Sequence, residues 1–166
     1  MFELKRLSPE AVPAALEKAE RYRLLNEPLE AECICRDVLD VDPMNERAKV
    51  TLVLALTDQF ARRLGDKFHQ ARELALELED EYSRVYYQGI LCERRAKLSL
   101  DQAMPGSGAV AFEWFREAMA HYERAAELRP AGNDDPILRW NTCARVLNRR
   151  PDLQPVPESA SQEMLE

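Results

Sequence analysis

Apolar residues recur along this chain in steps of three and four, with charged residues between them, which is the spacing of one buried helix face. The first such stripe runs through Ala15, Leu16, Ala19, Tyr22 and Leu25. Ser8-Pro9 ahead of it offers a cap and a proline at the first helical position, while Pro13 leaves a later start open. Asn26 and Pro28 break the chain, and a second helix follows with Leu29, Ile34, Val38 and Leu39. Asp42-Pro43 repeats the capping signal before a third helix over about 44–63, which carries the apolar run Val50 to Leu56. Leu64-Gly65-Asp66 predicts an end there, with Gly65 in the left-handed conformation and Asp66 capping a fourth helix over about 67–79. Phe68, Ala71, Leu74, Ala75 and Leu78 share one face of that fourth helix.

A fifth helix is expected over about 82–100, with Tyr82, Tyr86, Gly89, Ile90 and Ala96. Pro105-Gly106-Ser107-Gly108 predicts a flexible loop. The sixth helix, about 110–128, holds Phe112, Phe115, Met119, Tyr122 and Ala126, and Pro130 to Asn133 ends it. Asp135-Pro136 opens a seventh, about 136–148, with Ile137, Trp140 and Val146. Apart from short ambiguous pieces, no segment alternates as strands do. The expected fold is therefore all-α, with short connections that imply antiparallel hairpins. Residues 1–148 form the helical domain. The segment 149–166, with Pro151, Pro155 and Pro157 among Ser, Gln and Glu, is expected to be a disordered or loosely attached tail.

Hairpins in series call for a search for internal repeats. The first hairpin carries Ala19-x2-Tyr22-x8-Ala31-x3-Cys35-x2-Val38-x4-Pro43. Ala118-x3-Tyr122-x2-Ala125-x4-Pro130 repeats its second half, and Gly89 stands where the first hairpin has Ala19. Ala71-x3-Ala75-x2-Leu78 keeps the small-residue spacing without the closing Pro. Small residues at Ala19 or Gly89, facing Ala31 or Ala118, let two backbones approach. Tyr22 or Tyr122 fills the adjoining gap, and Pro43 or Pro130 stops the helix so that the next hairpin can stack.

This pattern, over about residues 10–148, resembles the tetratricopeptide repeat. Ala15 and Lys18 stand where that family carries Trp and Leu, the second hairpin is longer, and an insertion around Pro105–Gly108 separates helices five and six. The resemblance implies a right-handed superhelix of about three antiparallel hairpins plus a C-terminal capping helix. It also implies a concave groove, lined by the first helix of each hairpin, that binds a peptide or helix of a partner protein. Mapped onto this chain, the groove positions are Leu16, Glu20, Arg23, Arg47, Val50, Leu54, Tyr86, Ile90, Glu93, Arg94, Asn141 and Arg145. Tyr and Arg are frequent binding hot spots. A family subset clamps a peptide carboxylate with Lys and Asn; Leu16 and Glu20 occupy the corresponding first-repeat positions, so that activity is not expected here.

Charge narrows the partner class. Against 30 acidic side chains stand 23 basic ones, a net charge of −7 that disfavours nucleic acid and anionic membrane. The doublets Arg62-Arg63, Arg94-Arg95 and Arg149-Arg150 are expected to be solvated faces. The run Val50–Leu56 is too short to span a bilayer, and no apolar targeting segment stands at the N-terminus, so a cytoplasmic location is expected.

Catalytic chemistry is sparse. Cys33, Cys35, Cys92 and Cys143 are scattered without a CxxC pair and are expected to pack as small hydrophobes. Cys33 and Cys35 project about 200° apart on a helix, which separates them as ligands. His69 and His121 are expected to be exposed or satisfied in the core; His69 and Glu73 stand at i, i+4 without a second His. Gly106-Ser107-Gly108 lacks the Lys-Ser/Thr of a phosphate loop, and no GxSxG occurs. Glu77, Glu79, Asp80 and Glu81 read as a solvated run. The expectation is a binding scaffold with no catalytic, cofactor or metal residues. A self-associating homodimer built on the odd seventh helix is the first alternative. A metal- or small-molecule-linked helical protein using the cysteines and His69 is the second.

Overall fold

The computed structural model describes residues 2–102 and 104–155. Among them there are seven α-helices and no strand. They are α1 (Val12–Leu24), α2 (Pro28–Val41), α3 (Glu46–Thr57), α4 (Phe60–Leu76), α5 (Glu81–Gln102), α6 (Ser107–Leu128) and α7 (Asp135–Arg149). A 3-10 turn over Pro9–Ala11 precedes α1, where Ser8-Pro9 pointed. None of the described helices is long and apolar enough to cross a membrane. The chain divides into two compact units, Met1–Tyr87 and Gln88–Glu166, so that α5 contributes its first turns to one and the rest to the other.

In the first unit α1 packs on α2, α2 on α3 and α3 on α4, and α1 also lies against α3. The small residues of the repeat are where close packing needs them: Ala19, Ala31, Ala71 and Ala75 are wholly buried, together with Cys35 and Val38. Asn26 ends α1. It takes a left-handed φ of 61°, and the amides of Glu27 and Asn26 donate to the carbonyls of Tyr22 and Arg23 at 2.9 and 3.0 Å. That pair of bonds satisfies the orphan carbonyls of the last turn, so α2 can start at once with Pro28.

Two boundaries differ from expectation. The cap of α3 is Asn45, whose Oδ1 accepts from the Ala48 amide at 2.9 Å. Asp42 supports it from one turn earlier by accepting from Asn45 Nδ2 at 2.9 Å. The break between α3 and α4 falls at Asp58–Gln59 rather than at Gly65. Gly65 has no left-handed φ; the irregularity near it is Arg63, at φ −148° and ψ 60° within α4. Phe60, the first residue of α4, is buried, and its ring lies 5.8 Å from that of Phe68.

In the second unit α6 packs on α7. The loop expected at 105–108 is shorter than that: α5 and α6 are 22 residues each, and α6 already starts at Ser107. Gly106, at φ 82°, makes that tight turn possible. Gly89 lies directly beneath the ring of Tyr122, so close that a Cβ there would be 2.6 Å from Cε1. Gly89, Ala118 and Ala125 are buried as the repeat required, and Tyr122 fills the space beside them. Beyond α7, Leu153 is buried and lies against Gly108. The rest of the expected tail, 156–166, lies outside the described residues.

Candidate partner-binding face

On α1, Leu16, Glu20 and Arg23 follow one another at helical spacing; on α3, Arg47, Val50 and Leu54 do the same. The structure brings these two rows together. Arg47 donates from Nε and Nη2 to the two carboxylate oxygens of Glu20, both at 2.8 Å. Arg23 Nε donates to Asp58 Oδ2 at 2.8 Å. The Arg47 hydrogen bonds, joined by the charges of Arg47 and Arg23, hold the Glu20 carboxyl below its ordinary value against the opposing effect of burial. Both partners of the Glu20–Arg47 pair are close to half exposed, so the pair adds little stability; its two-pronged geometry sets the direction in which Arg47 points.

Val50 and Leu54 are half-buried beside this ladder. Val50 and Arg47 also line an open groove of about 390 Å³ with Glu46, Glu79, Asp80 and Ser83. Its acidic wall is ordered. Glu46 accepts from Lys49 Nζ and from the Glu79 amide, each at 3.0 Å. Asp80 accepts from the Ser83 amide at 2.8 Å. Burial pushes the Asp80 carboxyl up, but the Ser83 hydrogen bonds and the nearby Arg84 charge prevail and lower it. The solvated acidic run read from the sequence is thus partly a structured turn, with Leu78 buried before it.

Other expected groove positions fall elsewhere. Leu16 is core, packed with Val12, Val38 and Ala48, and is closed to a partner. Ile90 and Glu93 are likewise buried. An apolar groove position at 90 and a charged one at 93 follow from helical spacing, but that spacing cannot tell an open face from one covered by another helix. Tyr86 is half-buried between Tyr82, stacked at 5.6 Å, and Tyr87, edge-on at 5.3 Å. Arg94 and Asn141 are half-buried and Arg145 is exposed.

Glu93 illustrates what the sequence reading missed. It is 1% exposed and accepts from Tyr122 Oη at 2.7 Å, from Lys97 Nζ and from Arg139 Nη1. Burial raises its carboxyl, but these cations and the phenol outweigh burial and hold it low. Glu32 is the counterpart in the first unit. Lys67 Nζ donates to it at 2.7 and 2.9 Å, Gln59 Nε2 at 2.6 Å and Arg36 at 2.8 Å. A signal for both exists: each acid stands four residues before a base, Glu32 before Arg36 and Glu93 before Lys97, on helices whose neighbouring positions are apolar.

The cysteines also divide. Cys35, Cys92 and Cys143 are buried as expected, but Cys33 is exposed, because two helical positions turn it to the opposite face from Cys35. Burial pushes the Cys35 and Cys143 thiols up to about 12. His69 is exposed beside Glu73, at 3.1 Å. His121 is half-buried, and with Glu117 and Cys92 it forms a group whose ligand atoms all lie within 4.8 Å of one another. On the second unit Tyr122, Ala126, Pro136, Ile137 and Trp140 line an apolar notch of about 170 Å³. The Trp140 indole is oriented there by donating to Glu123 at 2.9 Å.

Comparison of the chain with protein-family models, with curated proteins and with solved structures gives no match.

Proposed function

We propose that the protein is a tetratricopeptide-like scaffold that binds a segment of a partner protein, and not an enzyme. In this reading the helix pairs stack as a right-handed superhelix with α7 as its cap, in the cytoplasm. The binding face in the first unit is the surface of α1 and α3 that presents Arg47, Val50 and Leu54. The observation that carries the proposal is that first helices of successive pairs lie side by side, tied by Glu20–Arg47 and Arg23–Asp58. Half-exposed aliphatic groups and an open groove lie next to the tie. A partner segment with an aliphatic anchor and a basic residue suits the groove, since Val50 offers apolar contact and Glu46, Glu79 and Asp80 are acidic.

The test is capture from native cells with the wild-type chain and with Val50→Glu, after circular dichroism shows equal helicity. A photo-crosslinking residue at position 54 reports direct contact. Partners that crosslink at 54 and disappear with Val50→Glu support the assignment. An identical partner set for both chains refutes it.

A further inference from the structure

We propose that Cys92, Glu117 and His121 form a binding site for one divalent transition-metal ion of zinc-like character. This goes beyond the partner-binding reading and does not depend on it. Glu117 and His121 stand one turn apart on α6, and Cys92 reaches them from α5. Sulfur, imidazole nitrogen and carboxylate oxygen converge within 4.8 Å, the one such group of three among the described residues.

Geometry and chemistry agree on the ion. Metal–ligand bonds of roughly 2.0–2.3 Å at tetrahedral angles place donor atoms about 3.3–3.6 Å apart. From within 4.8 Å of one another, the three donors need to close by no more than about 1.5 Å to reach that spacing. A thiolate, an imidazole and a carboxylate are a borderline-soft set that suits zinc and not magnesium or calcium. Three protein ligands leave a fourth position for water or another ligand. Cys92 is buried, His121 half-buried and Glu117 exposed, so the group reaches from the core to the surface.

The helix crossing is held by the residues next door. Glu93 follows Cys92 and Tyr122 follows His121, and these two neighbours are hydrogen-bonded at 2.7 Å. Gly89, one turn before Glu93, admits the Tyr122 ring against the α5 backbone. The register that lets Cys92 face His121 is therefore set by buried contacts independent of any ion, which is the preorganisation a ligand set requires. No other cysteine or histidine among the described residues has this company; Cys35 and Cys143 are buried without such a group, and His69 has Glu73 alone.

The experiment uses the full chain freed of metal, titrated with cobalt(II) and followed by absorption, then with zinc in competition. The expected result is one cobalt per chain, a thiolate-to-cobalt charge-transfer band, and displacement by one zinc. Glu117→Gln and His121→Gln, on the accessible side of α6, should keep their helicity and weaken zinc binding at least about 100-fold. That is the upper range seen when only an outer-shell partner is lost. Cys92→Ser should abolish the charge-transfer band, and Cys33→Ser should leave every reading unchanged. Should Cys92→Ser not fold, the two α6 variants decide. Absence of saturable cobalt uptake, a charge-transfer band persisting in folded Cys92→Ser, or wild-type zinc affinity in both α6 variants overturns the proposal.

Discussion

Gly89→Ala tests the packing of the second unit with a single methyl group. In the interior of a helix, Ala is favoured over Gly by about 1 kcal/mol, so propensity alone predicts a gain. The structure predicts the reverse. The new Cβ would lie 2.6 Å from Tyr122 Cε1, 2.8 Å from Cδ1 and 3.1 Å from Cζ, where an ordinary contact begins near 3.4 Å. The ring must move by close to 1 Å, and it is not free to do so: Tyr122 is wholly buried and its hydroxyl is held by Glu93 at 2.7 Å. Overpacking of this kind costs about 1–3 kcal/mol. Loss of a hydrogen bond to a charged acceptor adds about 1.5–3 kcal/mol. Set against the propensity gain, the variant should be less stable by about 1.5–5 kcal/mol.

Both tryptophans of the chain, Trp114 and Trp140, belong to the second unit, so tryptophan fluorescence in urea places its probes in that unit. Tyr122→Leu supplies the control, because a flexible branched side chain yields where a pinned ring does not. The Gly89→Ala penalty should shrink by at least about 1 kcal/mol in that background, the coupling expected of residues in direct contact. A Gly89→Ala variant that is stabilised by the full propensity gain, or a double-mutant cycle with no coupling, refutes the close approach.

Three further outcomes follow from the buried charges and thiols. The Glu93 carboxyl is lowered in the folded chain, so the unfolded state binds the proton more readily, and stability present at neutral pH is lost as pH falls from the ordinary carboxylate value through the folded one. Acid titration of tryptophan fluorescence should show this, and Glu93→Gln should flatten the acid limb; an unchanged acid profile would count against it. Lys67→Met leaves Glu32 buried with only Gln59 and Arg36, and should destabilise the first unit by about 3 kcal/mol; Glu32→Leu with Lys67→Met should recover most of it. Far-UV circular dichroism in urea measures both, and equal losses in the single and double variants would contradict the pairing. A maleimide reagent at neutral pH should label Cys33 first and reach Cys35 and Cys143 only on unfolding, since both are buried with thiols pushed up to about 12. Mass spectrometry of the digested chain identifies the order.

Helix positions were legible because their signals are local. Pro28 sets the start of α2 and Asn26 the end of α1, since a ring without an amide proton and a side chain that tolerates positive φ act on their own backbone. The small residues were legible for a related reason. Ala and Gly at repeated intervals leave room for close approach, and Ala19, Ala31, Gly89 and Ala118 are all buried. Gly65 shows where that logic stops. A glycine beside an aspartate looks like a helix end, and the chain does leave helical geometry two residues earlier, at Arg63, before α4 continues past Gly65. The loop expected at 105–108 is a tight turn closed by the Ser107 amide donating to the Met104 carbonyl at 2.9 Å, and Ser107 onwards is helix.

Site residues were legible only where exposure follows from one helix. Arg47 and Val50 keep an accessible face because neither is needed to cover a neighbour. Leu16, Ile90 and Glu93 share their periodic spacing but not their exposure. A period of 3.6 assigns a residue to a side of its helix and is silent on what lies against that side. The groups that matter chemically draw in residues far apart in sequence. Cys92 lies well before His121 and Glu117, and Arg139 reaches Glu93 across 46 positions. Such meetings depend on register between helices, and register is set here by a buried phenol donating to a buried carboxylate over a glycine. A reading of charges at i, i+4 would have found Glu93 with Lys97, because an acid next to buried positions needs a base within reach. It would still have placed that pair on the surface. The ring of Tyr122, which needs both the space left by Gly89 and the carboxylate of Glu93, ties the two helices together, and Arg95 over the Trp114 ring at 4.2 Å is a second contact between them.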